Sequence, residues 1–209
     1  MPSMQLIVRP ARPEDPADEL LYESAKPYYD AYAGDEARAR RLLRRVYRRD
    51  GHAASWEICH VAELDGEVIG VLAGFPAREG DRLARHFVSL TFARVPAWRW
   101  PGLVRHLRAA GTVSPHPPLD AYYVDALATA PQARRRGVAT ALLSEAERQA
   151  RTHGASGVAL DTGLANQPAR ALYEGYGFRR REVRHAPDER TARAIGGPGF
   201  VGYFKDAAG

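Results

Sequence analysis

Cysteine is nearly missing. Cys59 is the only one in 209 residues, which excludes an internal disulfide and offers no thiol cluster for a metal. Lysine is scarce as well, since only Lys26 and Lys205 among thirty cationic residues are not arginine. No run of about eighteen apolar residues occurs, and the N-terminus has no apolar signal core. A soluble cytoplasmic protein without a membrane partner is expected. No Walker loop, metal-spaced His/Cys group or Ser/His/Asp arrangement is visible, so the expectation includes no metal.

What is present is an ordinary globular composition, 45% hydrophobic with a formal charge of +5. The length predicts a single domain over residues 1–209, with a helical insertion at about 77–119. The basic balance invites a nucleic-acid reading. That reading is set aside, because the arginines are spread among acids and form no block. The surplus charge still favours anionic ligands.

The chain is organised around residues 121–143, AYYVDALATAPQARRRGVATALL. The aromatic and apolar opening (Tyr122, Tyr123, Val124, Ala126, Leu127) reads as a largely buried strand. Pro131 ends it, having no backbone donor for a ladder. Arg134, Arg135 and Arg136 then lead to Gly137. From Val138 the apolar residues fall at helical spacing, with Val138, Leu142 and Ala146 on one face. A strand, a basic loop and a helix start form a natural holder for phosphate: the first N–H groups of a helix lack partners and the macrodipole is positive there. An ordinary strand–helix connection with solvated arginines is the bland alternative.

Elsewhere, Asp65-Gly66 between two apolar runs predicts an antiparallel hairpin. A first strand is expected at 5–9, then a helix near Ala17 capped by Asp15 or Asp18. A basic second helix is expected over 35–49, its arginines solvated. His60 reads as a packed strand residue. Two short helices are expected at Gly80–Phe92 and 101–110, and His106 falls at a helix surface. The later elements are a helix at Val138–Thr152, a strand at 157–162, a helix at 168–175, and two final strands joined by a Gly/Pro-containing loop.

The spacing Arg134-x-x-Gly137-x-Ala139 is followed by Asn166-Gln-Pro-Ala-Arg-Ala-Leu-Tyr173-Glu-Gly-Tyr-Gly177-Phe178. Both motifs, in this order, resemble the GNAT N-acyltransferase superfamily over residues 122–178. The resemblance implies an α/β fold: a mixed, mostly antiparallel six- to seven-stranded sheet flanked by helices and splayed between strands 4 and 5. It implies transfer of an acetyl group from acetyl-CoA to a primary amine by direct attack in a ternary complex. Backbone groups of Leu127, Ala128 and Thr129 would pair with the pantetheine arm. N–H groups from Arg134, Arg135, Arg136, Gly137, Val138, Ala139 and Thr140 would hold the pyrophosphate. Arg135 stands where many relatives have glycine. Asn166 would contact the cofactor, and Tyr173 would act as general acid on the leaving sulfur.

Asp125 shares strand parity with Tyr123 and Leu127, so the three point to one face. Its carboxylate could be the general base, hold the amine's charge, or be structural. Asp161 is a weaker candidate of the same kind. Tyr123 and Trp98 are expected to touch the acceptor, a small-molecule or peptide amine. A homodimer is left open. A non-catalytic acyl-CoA-binding module is the alternative function.

Overall fold

The computed structural model describes residues 6–92 and 94–207. Its strands are β1 (Leu6–Pro10), β2 (Cys59–Leu64), β3 (Glu67–Pro76), β4 (Tyr122–Thr129), β5 (Gly157–Gly163), β6 (Arg179–His185) and β7 (Gly199–Asp206). They form one sheet in the order β1-β2-β3-β4-β5-β7-β6, antiparallel at every junction except β4–β5. Gln5, expected in the first strand, lies outside the described residues. The β2–β3 hairpin turns at Asp65 and Gly66, which both take positive φ (50° and 83°), the twist that suits a two-residue hairpin.

Eight helices flank the sheet among the described residues: α1 (Ala17–Ser24), α2 (Lys26–Ala33), α3 (Glu36–Tyr47), α4 (Gly80–Phe92), α5 (Trp100–Val113), α6 (Val138–Thr152), α7 (Gln167–Gly175) and α8 (Glu189–Ile195). None is long and apolar enough to cross a membrane. Helix α6 lies on one face of the sheet, over Gly70: a Cβ there would come within 2.7 Å of Val138 Cγ1 and 3.0 Å of Leu142 Cδ1. Helix α1 packs on β3 and β4. One core of buried residues joins α1, α6 and the central strands. A second joins α2, α3, α4 and α5.

Two irregularities in β4 shape everything that follows. Its parallel pairing with β5 lasts three residues and ends at Val124 opposite Leu160. Beyond that point β4 stays with β3 as far as Thr129, while β5 stays with β7 as far as Gly163. The sheet is therefore splayed between its fourth and fifth strands, as expected. On the other side, Ala73 pairs with Ala126 but Gly74 pairs with Val124. Asp125 is thus the extra residue of a β-bulge, a device that bends a strand and re-aims a side chain. It has a register partner on neither flank.

Several expectations need correction. Asp15 does not cap α1: its carboxylate accepts from the Arg12 N–H at 2.7 Å and pairs with Arg9. Pro16 holds the N-cap position of α1 and supplies no side-chain bond. Helix α2 was not foreseen. Pro27 lacks the N–H that a continuous α1 would need, so the chain turns at Ala25 (φ −144°) and restarts. The α3 arginines are not merely solvated, because Arg40 pairs with Glu19, Glu23 and Glu36, and Arg44 with Asp18 and Glu19. The connection from β6 to β7 holds α8, capped by Asp188 on the Thr191 N–H and closed by Gly196 at φ 79°.

The close approach at Gly70 gives a stability test. Gly70→Ala should cost about 1–3 kcal/mol by forcing α6 off the sheet, although alanine ordinarily suits a strand better than glycine. Urea denaturation at constant m-value reads it. An unchanged midpoint would mean that Val138 and Leu142 move aside freely.

Candidate active site

The splay opens into a cavity of about 260 Å³ on the face opposite α6. Tyr123 and Asp125 from β4 and Asp161 from β5 line it at the strands, and Tyr28, Tyr29 and Tyr32 from α2 line it from above. Phe87 of α4 and Leu107 of α5 complete the wall, so the segment between β3 and β4 borders the cavity. The turn at Ala25 is what points the α2 tyrosines here. Tyr28 and Tyr32, one helical turn apart, stack at 6.5 Å between centroids. The Tyr32 hydroxyl meets Thr91 Oγ1 at 2.5 Å, tying α2 to α4.

Asp125 and Asp161 occupy the first positions beyond the last β4–β5 register pair, one on each side of the opening. The Tyr123 hydroxyl spans it, donating to Asp161 Oδ2 at 2.5 Å. Asp125 carries accessible surface and lines the cavity. A carboxylate at the floor of a protein-walled cleft still loses much of its hydration. Loss of hydration, then the charge of Asp161, pushes Asp125 up to about 7. Burial pushes Asp161 up to about 6, against the lowering effect of the Tyr123 hydrogen bond. Both carboxyls therefore hold their protons to a higher pH than an ordinary carboxyl group, and the charge of Asp161 is part of what holds the proton on Asp125.

Tyr173 on α7 is buried, with its ring edge-on to Phe178 (6.0 Å) and Tyr203 (5.8 Å). Its hydroxyl finds no hydrogen-bond partner among the described residues. Burial, and next the charge of Asp161, raise the phenol above its ordinary range, which keeps it protonated and able to donate. Asp161 is therefore the electrostatic centre of the site, acting on Asp125, Tyr123, Tyr28 and Tyr173.

On its β5 side, the stretch of β4 that holds Leu127, Ala128 and Thr129 has no strand partner. Thr129 Oγ1 is buried and unpaired. The strand leads through a 3₁₀ turn into Arg134, Arg135, Arg136 and Gly137, all exposed. Arg135 takes φ 61° and Gly137 φ 78°. Helix α6 starts with no side-chain cap and no acid in its first turn, so the N–H groups of Val138, Ala139 and Thr140 are left for an outside acceptor. Asn166 caps α7 through Oδ1 on the Ala169 N–H and donates to Thr162 Oγ1. Among the described residues no group of three or more His, Cys, Asp or Glu could hold a metal.

Other candidates lie elsewhere. Trp98 is 80% exposed on the turn before α5 and does not line the cavity, so the expectation that it touches the acceptor gains no contact. His106 is not at a helix surface: it is buried with Nδ1 at 2.5 Å from the Ala194 carbonyl and its ring against Tyr28. His60 is a packed strand residue facing Glu145. The α2 tyrosines were missed, although Tyr28 and Tyr32 at helical spacing after Pro27 carried the signal.

The model of the acetyltransferase (GNAT) family matches residues 18–178, and the chain belongs to that family. It shares its fold with solved structures of low sequence identity. One is the crystal structure of an acetyltransferase (TM-score 0.69, 18% identity, covering 97% of this chain and 100% of that one). Another is an N-acetyltransferase from Staphylococcus aureus Mu50 (0.68, 17%, 95% and 100%). A third is an agmatine N-acetyltransferase in apo form (0.58, 17%, 96% and 98%). No curated protein matches the sequence.

The raised carboxyls set a pH test. Between the ordinary carboxyl range near 4 and about 7, the folded chain binds more protons here than the unfolded chain, so stability from these groups falls as pH rises. Melting temperatures from pH 4.5 to 8 should show a smaller loss in Asp125→Asn than in the parent. In Asp161→Asn, the Asp125 midpoint seen by carboxyl NMR should move down while staying above 4. A midpoint that did not move would remove the coupling between the two.

Proposed function

We propose that the chain is an N-acetyltransferase that moves an acetyl group from acetyl-CoA to a primary amine by direct attack in a ternary complex. One observation supports this above the others: the unpaired flank of β4 runs from the Asp125–Asp161 opening straight to the uncapped start of α6. The residues present fit the cofactor. The flank offers free backbone groups beside the orphaned Thr129 hydroxyl, and the loop offers N–H donors with exposed arginines for phosphate. When bound, acetyl-CoA supplies a thioester, an acyl group open to attack by an amine.

In this reading the backbone of Leu127, Ala128 and Thr129 aligns the pantetheine arm. The N–H groups from Arg134 to Thr140 hold the pyrophosphate, with the three arginine side chains nearby. Holding two reactants in line is worth up to about 7–11 kcal/mol of barrier. Asn166 has its oxygen engaged in the α7 cap and keeps one amide hydrogen for the cofactor. Asp125 takes the proton of the incoming ammonium, since a base that titrates near 7 is well matched to neutral pH. Tyr123 holds Asp161, which sets the charge Asp125 feels. Tyr173 donates its hydroxyl hydrogen toward the departing sulfur.

Acetyl-CoA at about a hundred times its dissociation constant should stabilise the chain by about 2.7 kcal/mol, a shift on the order of 5–10 °C, and NADP should not. Asp125→Asn should lower kcat/KM by about 10²-fold or more and abolish the rise of rate with pH through about 7. Tyr173→Phe should lose turnover, read as thiol release, and keep the acetyl-CoA shift. Full turnover in Tyr173→Phe would remove its role as general acid, and an acetyl-CoA shift without thiol release for any amine in the parent would favour the non-catalytic binding module.

A further inference from the structure

We infer that the acceptor is a small amine with one cationic end on an aryl or alkyl body, best matched by an arylalkylamine, and that polyamines and free amino acids are poor acceptors. The inference rests on the acetyl-transfer reading above. It comes from how charge and aromatic surface divide the cavity between them.

Both carboxylates, Asp125 and Asp161, stand at a single place, the opening between β4 and β5. That end holds one ammonium. The remaining wall is aromatic and aliphatic: Tyr28, Tyr29, Tyr32, Phe87 and Phe200, with alanines, Val88 and Leu107 between them. No further acid lines it. A second ammonium carried into this wall would meet ring faces, tyrosine hydroxyls and Ser114 but no second carboxylate, against a larger loss of hydration. A neutral ring or chain fits the same wall with gain, through burial and edge or offset ring contacts.

No basic residue lines the cavity either, in a chain with thirty cationic residues. An amino acid brings a carboxylate two bonds from its amine. Here that carboxylate would sit beside Asp125 and Asp161 with no cation to meet it, a like-charge placement that disfavours binding strongly. Size points the same way. A space of about 260 Å³ is below the ~300–1,000 Å³ of sites for drug-sized ligands, so one ring on a short chain fills it.

The test uses the full chain with phenethylamine, L-phenylalanine and spermidine, each measured for heat of binding, with and without coenzyme A, and for thiol release from acetyl-CoA. Phenylalanine differs from phenethylamine by the carboxylate alone. Phenethylamine should bind, and the other two should bind at least about tenfold more weakly, with thiol release in the same order. Ala84→Glu, which places an acid on the exposed α4 rim of the cavity, should improve spermidine relative to phenethylamine by about two- to fivefold, the size of an exposed ion pair. Equal or tighter binding of phenylalanine or spermidine by the parent, no binding of phenethylamine, or a ratio unmoved by Ala84→Glu would overturn the assignment. The binding order without any thiol release would sink acetyl transfer and leave the pocket assignment standing. Thiol release led by spermidine, an amino acid or a peptide N-terminus would do the reverse.

Discussion

The β4–β5 ladder ends after three residues, and the rest of the site depends on that ending. A parallel pair that stayed together to Thr129 would satisfy the backbone of Leu127, Ala128 and Thr129 internally and leave no flank for another chain of donors and acceptors. It would also close the opening that Asp125 and Asp161 face across. The bulge at Asp125 works in the same direction, because it releases that residue from β3 as well. A carboxylate without strand neighbours on either side can be held over a cavity instead of beside another side chain of the sheet. The Tyr123 hydroxyl on Asp161 then spans the opening, so the strands part without losing contact.

Around this opening the molecule keeps its positive and negative surfaces apart. The arginines at 134–136 sit on the loop before α6, at one end of the free flank, and the paired carboxylates sit at the other. One free strand flank therefore joins a cationic end to an anionic one, the arrangement the proposed reaction uses. The N-terminal helices wall the end that holds the carboxylates. Arg40 binds three glutamates and lies 4.1 Å from the Tyr22 ring centroid, holding α3 to α1, and α2 hangs between them with its tyrosines over the cavity. The ion pairs are individually weak where exposed, but Arg40 gathers several at one place.

Much of this was legible in the residues. The helix at Val138–Thr152 and the hairpin at Asp65-Gly66 stand where periodicity and turn chemistry put them, because both signals are local. The motif at Arg134, Gly137 and Ala139, with Tyr173 downstream, carried the family. The parity of Tyr123 and Asp125 put them on one face, and the structure has both lining one cavity. What failed had a common cause. Trp98 belongs to a segment that borders the cavity yet does not line it, because nothing local shows which way a turn faces. His106 looked like a surface residue because its partner, the Ala194 carbonyl, lies on a helix 88 positions away. Helix α8 and helix α2 are short, seven and eight residues, and carry their signals in single residues (Asp188, Gly196, Pro27) that are easily read as loop.

The sequence by itself determined most of the elements, their order and the chemistry of the arginine loop before α6, since propensities, caps, a glycine at positive φ and a free helix start are all properties of a few consecutive residues. Only the tertiary structure decided the site. That β4 parts from β5 after Val124 depends on how two strands more than thirty positions apart twist against α6 and β7. That Asp125 titrates near 7 depends on Asp161 and on the loss of water beneath α2. Register, splay and desolvation are relations between distant segments, and no short stretch of residues contains them.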